Sequence, residues 1–200
     1  MKLFTLFISA LLVFVTGCAG LKNSWEFLQP YASNDWNNLS ANTATRLQES
    51  ALLVGSLDLR AVDGSRYQVP AHIELLVAPR SHLYEKRLLV SPETNFATFF
   101  APGRLRVYLY NISIGPQSYN FGTQPFQPTK ILDWPINAGE VIYLGHLKIR
   151  MLDSRSAQLT ARDRHRKMER ELQEKLGMAE LNLTTRLAGT ASAISSEGAQ

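Results

Sequence analysis

The sequence predicts a mainly β protein, a β-sandwich of six to seven strands followed by a charged C-terminal α-helix. Three observations support this fold class. Between residues 51 and 152, short apolar segments alternate with polar residues at a period of two, and turn signals such as Asp63-Gly64 separate them. No helical period lies between these segments, which disfavours a parallel α/β sheet. After residue 156, apolar residues recur at helical spacing among many charges.

The strands are predicted in order along the β region. The first alternates with Leu53, Leu57 and Leu59 on one face. Pro70 lies inside the second, at residues 67–77, and indicates an edge strand or a late start of the pairing. Further strands are expected at residues 87–90, 95–100, 104–112, 131–136 and 141–151.

The last of these strands is the longest apolar one. Five of its residues are expected to share the core face, and His146 is expected on the opposite face. The five are Val141, Tyr143, Leu147, Ile149 and Met151.

The first seventeen residues have the layout of an export signal. Lys2 gives a positive start, residues 3–15 are almost entirely apolar, and small residues lead to Cys18, the only cysteine of the chain. The apolar run is shorter than the about 20 residues that span a bilayer. A single cysteine also excludes an intrachain disulfide framework and a multi-cysteine metal site.

Val15-Thr16-Gly17-Cys18 resembles the lipobox of bacterial lipoproteins, with an apolar residue at −3 and a small residue at −1. The resemblance implies cleavage after Gly17, transfer of diacylglycerol to the Cys18 sulfur and N-acylation of the new N-terminus. Several acyl chains make such an anchor effectively permanent, since each buried methylene contributes about 0.8 kcal/mol. Ala19 is not the aspartate of the family's inner-membrane retention signal, so the periplasmic face of the outer membrane is expected in a Gram-negative cell. The alternatives are an ordinary cleaved signal and an uncleaved N-terminal anchor.

Composition divides the chain after the signal peptide, residues 1–17, into four parts. Residues 18–50 are rich in Asn, Ser and Thr and are expected to form a lipidated tether, whose aromatic residues indicate contact with the membrane interface or with the domain. Residues 51–152 form the predicted sandwich. Residues 156–183 form the predicted amphipathic helix, and residues 184–200, which are small and polar, are expected to be disordered.

The β region also resembles a known family. The aromatic strand 96–100, the Pro102-Gly103 turn and the alternating strand 105–109 follow the pattern of carboxypeptidase regulatory-like domains, and residues 139–145 are similar to the last strand of small bacterial lipoproteins with such domains. The resemblance implies a transthyretin-like (prealbumin-like) sandwich, with an Ig-like sandwich as the alternative. The family is mostly non-enzymatic and carries no fixed catalytic set.

The sequence offers no pattern for catalysis. It contains no nucleophile elbow, phosphate-binding glycine loop or dinucleotide fingerprint. The four histidines lack metal-ligand spacing, and His72 and His146 are expected at the surface. No pattern brings carboxylates of the β region together. We therefore predict no catalytic residue, no metal and no cofactor.

One candidate binding surface lies on the predicted strand 104–112. Arg104, Arg106, Tyr108 and Tyr110 alternate along one face. They form either a binding surface or cross-strand pairs that stabilise the sheet.

A second candidate is the basic cluster of the predicted helix, which includes Arg162, Arg164 and Arg166. Neighbouring acidic residues dilute its charge. It is either a solvated helix face or a contact for anionic headgroups or an acidic partner. Nucleic acid is not an expected partner of an exported protein.

The function expected from the sequence is that of a lipid-anchored cell-envelope protein with a non-catalytic β-sandwich as its binding or structural module. Its partners would be the membrane, through the lipid on Cys18, and an envelope protein or glycan. The alternatives are an envelope hydrolase acting on peptidoglycan or a peptide, and a protein that binds the membrane surface through the basic helix.

Overall fold

Strands dominate the computed structural model, which describes residues 34–78, 86–120, 129–153, 156–189 and 191–195. The predicted signal peptide and Cys18 lie outside the described residues. The strands are β1 (Ala51–Arg60), β2 (Ala71–Ala78), β3 (Lys86–Val90), β4 (Asn95–Phe100), β5 (Gly103–Ile114), β6 (Gln117–Asn120), β7 (Thr129–Ile136), β8 (Val141–Met151), β9 (Ser156–Arg162), β10 (Leu183–Thr185) and β11 (Ala191–Ser195). The helices are α1 (Ala41–Ala44), flanked by 3₁₀ turns at Asp35–Asn38 and Thr45–Gln48, and α2 (His165–Leu176).

The strands form two sheets, consistent with a β-sandwich. Hydrogen bonds connect them in the order β3-β2-β5-β6-β11-β9-β8-β1-β4, with β7 paired to β5 and β10 paired to β8. Fully buried residues from both halves of this order, such as Leu75 and Leu109 from one and Leu53 and Leu147 from the other, belong to a single apolar core. The two halves therefore face each other across that core.

Two of the strand pairings are parallel. β1 runs parallel to β8, and β10 also runs parallel to β8, whereas the other pairings are antiparallel. A parallel pair needs a long connection between its strands. Between β1 and β8 the intervening strands supply that connection, and no helical crossover is required.

Strand β8 contains a bulge that changes which residues face the core. Gly145, at a φ of 109°, lies where the pairing of β8 with β1 shifts register. Strict alternation would place Leu144 and Leu147 on opposite faces of the sheet. Both point into the core, so the alternation of side chains is interrupted between them. The expectation that five apolar residues of β8 share the core face is wrong for Val141 and Tyr143, which pack on the outer face.

Helix α2 packs on the outer face of the sheet that contains β4, β1 and β8. Its apolar stripe consists of Met168, Leu172 and Leu176, all buried. The stripe joins a second apolar cluster with residues of the sheet and of the N-terminal segment, among them Leu52, Val54, Phe99, Val141, Tyr143, Trp36, Leu39 and Leu47. Burial of each large apolar side chain contributes about 1.5–3 kcal/mol. An exposed ion pair contributes at most about 1 kcal/mol, so the apolar stripe determines where α2 docks.

The helix is shorter than the predicted 156–183. Residues 156–162 form β9 because Ala157 and Leu159 alternate at period two and are buried against β8. The helix ends where Gly177 adopts a left-handed conformation with φ 64°. Neither helix of the described residues is long and apolar enough to cross a membrane.

The C-terminal part of the chain accounts for most of the difference in strand number. The described residues contain eleven strands instead of six to seven, and three of them, β9 to β11, begin at or after residue 156. β11 pairs with both β9 and β6, so residues 191–195 of the predicted disordered tail form a strand that joins the two halves of the strand order.

Residues 34–50 of the predicted tether pack on the sandwich. The side-chain oxygen of Asn34 accepts a hydrogen bond from the Ala97 N–H at 2.9 Å, and its amide donates to the Asn95 carbonyl at 2.7 Å. These contacts cover the outer edge of β4, which would otherwise present unpaired backbone groups. Trp36 is buried in the second apolar cluster. Residues 19–33 of the tether lie outside the described part of the chain.

We expect Asn34→Ala to lower the free energy of unfolding by about 1–3 kcal/mol, because it leaves the Ala97 and Trp36 N–H groups without their acceptor. Urea denaturation followed by tryptophan fluorescence measures the change. The matched control is Asn38→Ala, which removes the same side chain from an exposed position four residues later. Equal stability of the two variants would contradict the edge-covering role of Asn34.

Candidate functional site

A polar cleft of about 320 Å³ opens between the end of β1 and the first turns of α2. We call it the β1–α2 cleft. Most of its lining residues are polar or charged, and they come from β1, the β1–β2 loop, the β3–β4 turn, the start of β4, β8, and α2 with the residue before it. They are Ser56, Leu57, Asp58, Arg60, Arg66, Glu93, Thr94, Asn95, Tyr143, His146, Arg164, Lys167, Met168 and Glu171.

The outer face of strand β1 forms the floor of the cleft. Along this face the side chains change from apolar to polar. Outward side chains recur every second residue. Leu52 and Val54 lie under the apolar stripe of α2, whereas Ser56, Asp58 and Arg60 continue the same face beyond it. The cleft thus begins where the apolar cover of the sheet ends.

His146 lies beside Ser56 because of the bulge at Gly145. Strict alternation would send His146 and Tyr143 to opposite faces, but the bulge puts both in the cleft lining. The Ser56 Oγ and the His146 Nδ1 are 2.9 Å apart. His146 is only 7% exposed, so the expectation of a surface histidine is wrong. Burial, followed by the charge of Arg164, lowers the pKa of His146 below 6.5.

One wall of the cleft consists of paired charges. Arg60 contacts Asp58 at 2.7 Å and Glu93 at 3.8 Å, and Arg66 contacts Glu93 at 2.5 Å. Glu93 is the only described non-glycine residue with a positive φ, 62°, and its N–H donates to the Leu57 carbonyl at 2.7 Å. This strained turn holds its carboxylate at the end of β1, beside Asp58. The structure thus brings together carboxylates that no sequence pattern connected.

The opposite wall consists of Arg164 and the first half of α2, which begins at the next residue. Glu171 accepts a hydrogen bond from the Asn95 amide at 2.6 Å and lies 3.7 Å from the Lys167 ammonium. The Arg164 N–H donates to the Tyr143 hydroxyl at 3.2 Å. Burial raises the pKa of the Tyr143 hydroxyl, which therefore stays protonated at neutral pH. Among the residues that the structure describes, no carboxylate lies within ion-pair distance of the Arg164 guanidinium.

The candidate surface on β5 lies on the other sheet, away from this cleft. Arg104 and Arg106 contact the same carboxylate, Asp133 of β7, at 2.7 and 3.6 Å. Hydrogen bonds from Arg104 and Lys130 lower the pKa of Asp133 to about 2. Tyr108 of this surface is half-buried.

Tyr110, the last residue of that surface, lies under Arg87 of β3, 5.7 Å from its guanidinium. Arg87 in turn pairs with Glu74 of β2. These contacts, together with those of Arg104 and Arg106, are cross-strand pairs of the kind that stabilise a sheet.

All three arginines of the basic cluster are exposed, and they differ in whether they line the cleft. Arg164 lines the cleft. Arg162, at the end of β9, is exposed and lies opposite His146 in the strand register. Arg166 is exposed on α2, outside the cleft lining.

Sequence reasoning missed Ser56, His146 and Glu93 as members of one site. One signal was available, since an isolated glycine inside a strand pattern, here Gly145, suggests a bulge. The parallel pairing that places Ser56 beside His146 joins residues ninety positions apart, and no local pattern specifies it.

Comparison with known proteins adds no assignment: no protein-family model matches the chain, and no curated protein matches it. In the described part of the chain, no group of three or more His, Cys, Asp or Glu side chains is placed to hold a metal ion. The described residues thus form a mainly β molecule of two sheets, consistent with a β-sandwich, that has a polar, mixed-charge cleft beside its docked helix.

We expect His146 to titrate below 6.5, because its burial and the nearby Arg164 favour the neutral ring. Since its pKa is lower in the folded than in the unfolded chain, protonation reduces stability as the pH falls from 6.5 through the folded pKa. NMR titration of the ring protons measures the midpoint. Arg164→Gln should raise it, whereas Arg166→Gln, two residues further along, should move it less. A His146 midpoint at or above 6.5 would show that the ring is not buried as described.

Proposed function

We propose that this protein is a lipid-anchored component of the cell envelope whose β-sandwich binds a small polar ligand in the β1–α2 cleft. The single observation that carries the binding role is the cleft itself. Its volume of about 320 Å³ lies at the lower end of the range typical of small-molecule sites. Side chains from several separate segments converge on it, including a hydroxyl, a buried imidazole and charges of both signs.

The sequence supports the lipid anchor. The apolar stretch, the small residues and the sole cysteine coincide in one lipobox-like segment that ends at Cys18. From Cys18 to Asn34 the chain advances by sixteen residues. Fully extended, that length spans at most about 55 Å. Because Asn34 is bonded to β4, an anchor at Cys18 would keep the cleft in the layer next to the membrane.

A transthyretin-like arrangement is the form of the sandwich that we propose. Support comes from the aromatic strand β4, the Pro102-Gly103 turn and the alternating strand β5, which follow the pattern of carboxypeptidase regulatory-like domains. That family is mostly non-enzymatic, in keeping with a binding role. An envelope glycan or protein is the class of partner that the proposed location makes available.

The docking of α2 weakens the alternative of membrane binding through this helix. An interfacial helix buries its apolar face in the lipid. Here Met168, Leu172 and Leu176 are buried against the sheet, so the charged face alone remains for a membrane.

Cys18→Ser should abolish acylation and move the protein from the membrane fraction to the soluble fraction. Metabolic labelling with a fatty-acid analogue and cell fractionation measure both effects. Ala19→Asp is the matched control, because it changes the adjacent residue and keeps the thiol; it should remain acylated, with retention at the inner membrane of a Gram-negative host. Membrane retention of the serine variant without lipid label would contradict the anchor.

Hydrolysis is a second candidate function, supported by one contact. The Ser56 hydroxyl lies 2.9 Å from the Nδ1 of a buried histidine whose pKa is lowered, and such a ring can accept the proton of a serine nucleophile. Binding remains the preferred function, because no described carboxylate is hydrogen-bonded to the ring to orient it, as the third member of a triad would be.

A fluorophosphonate probe separates the two functions. A binding site should leave Ser56 unlabelled at neutral pH, and the wild-type protein and Ser56→Ala should give the same background signal. Labelling of the wild-type protein that is lost in both Ser56→Ala and His146→Phe, but kept in the control Ser118→Ala, would instead establish Ser56 as a nucleophile.

A further inference from the structure

The charges of the β1–α2 cleft do not balance. Four cationic side chains and three carboxylates line it, and His146, with its lowered pKa, adds no charge at neutral pH. The cations are Arg60, Arg66, Arg164 and Lys167; the carboxylates are Asp58, Glu93 and Glu171. The cleft therefore has one net positive charge.

The excess positive charge belongs to Arg164. Arg60 and Arg66 are paired with Asp58 and Glu93, and Lys167 faces Glu171. Arg164 has no carboxylate partner among the described residues, and its backbone is fixed by the hydrogen bond from its N–H to the Tyr143 hydroxyl. It also immediately precedes α2, whose dipole favours an anion at this end.

A buried group in the same cleft has hydrogen-bonding capacity left for a ligand. His146 is more than nine-tenths buried, and its Nδ1 is engaged by Ser56. Its Nε2 has no protein partner among the described residues. This ring nitrogen therefore remains available to a ligand.

We propose, resting on the ligand-binding function above, that the cleft selects a small monocarboxylate, with Arg164 as the residue that recognises the carboxylate. A guanidinium and a carboxylate match in a planar, bidentate geometry. One carboxylate brings the cleft to neutrality. A dianionic phosphate would leave it with a net negative charge next to Glu171 and Glu93, so a monoanion is favoured.

The remaining lining residues define the rest of the ligand. The carboxylates of Glu93 and Glu171 accept hydrogen bonds, and Asn95, Thr94 and Ser56 have polar side chains. Hydroxyl or amide groups beside the carboxylate satisfy this lining. Two sources share that chemistry: an acidic sugar, and the carboxyl end of a short peptide.

NMR titration of the full mature chain tests this proposal with two matched pairs of probes. Glucuronic acid and glucuronamide represent the sugar, and N-acetyl-alanyl-alanine and its carboxamide represent the peptide. In at least one pair the acid should perturb resonances of His146 and α2 and bind at least about tenfold more tightly than its amide. The pair whose acid binds more tightly than its amide identifies the ligand as an acidic sugar or as the carboxyl end of a peptide.

Arg164→Gln should weaken binding of that acid by about ten- to a hundredfold and remove most of the preference over the amide. Arg166→Gln is the matched control, because it removes the same charge from the same helix outside the cleft, and it should keep the preference. Equal binding of acid and amide at these resonances would overturn the carboxylate assignment and leave the cleft as a ligand site. If no probe perturbs the resonances of His146 and α2 up to millimolar concentration, both the carboxylate assignment and the proposed ligand-binding role fail. The lipid anchor is tested separately by Cys18→Ser.

Discussion

The parallel pairing of β1 with β8 is the constraint on which the rest of the molecule depends. β1 is buried on both faces: Leu53 and Leu57 point into the sandwich, and Leu52 lies beneath α2. Because side chains alternate strictly, a register slip of one residue would turn Asp58 and Arg60 into the apolar core. Burying those charges without partners would cost several kcal/mol. The pairing therefore fixes the core, the docking surface of α2 and the floor of the cleft at the same time.

The outer layer over this sheet is held by contacts from the first described segment, which begins at Asn34, and from α2. Asn34 bonds to the backbone of β4 at Asn95, and the Asn95 side chain bonds to Glu171 of α2. Trp36 packs in the same cluster as the apolar stripe of the helix, and the Lys175 ammonium lies 5.4 Å from its ring. The segment that leads towards the proposed anchor is thus connected through two hydrogen bonds to a wall of the cleft. Residues that composition alone assigned to a tether are part of the structure that positions the site.

The extent to which the sequence predicts this structure depends on how local each feature is. The strands β1 and β5 lie where alternation places them, because period two is a property of a few consecutive residues. Alternation does not predict the face on which His146 lies, because the bulge at Gly145 exchanges the inward and outward positions within this one strand. The helix boundary was missed for a related reason: Ala157 and Leu159 carry a weak period-two signal beside a strong helical one. The site depends on the pairing of strands far apart in sequence, and no pattern in one sequence encodes that pairing.

The buried His146 and the unpaired Arg164 are two consequences of one arrangement. A protonated imidazole at this position would lose hydration and would lie near a guanidinium, and both effects favour the neutral ring. The neutral ring in turn leaves Arg164 as the only cleft cation, among the described residues, without a carboxylate partner. A cleft built in this way has a neutral imidazole beside paired charges and, among the described residues, a single unpaired cation, Arg164. That combination fits the proposed recognition of one anionic group together with neutral polar groups, and the described residues provide no second unpaired cation for a larger polyanion. The selectivity we infer therefore follows from the same burial that makes His146 difficult to protonate.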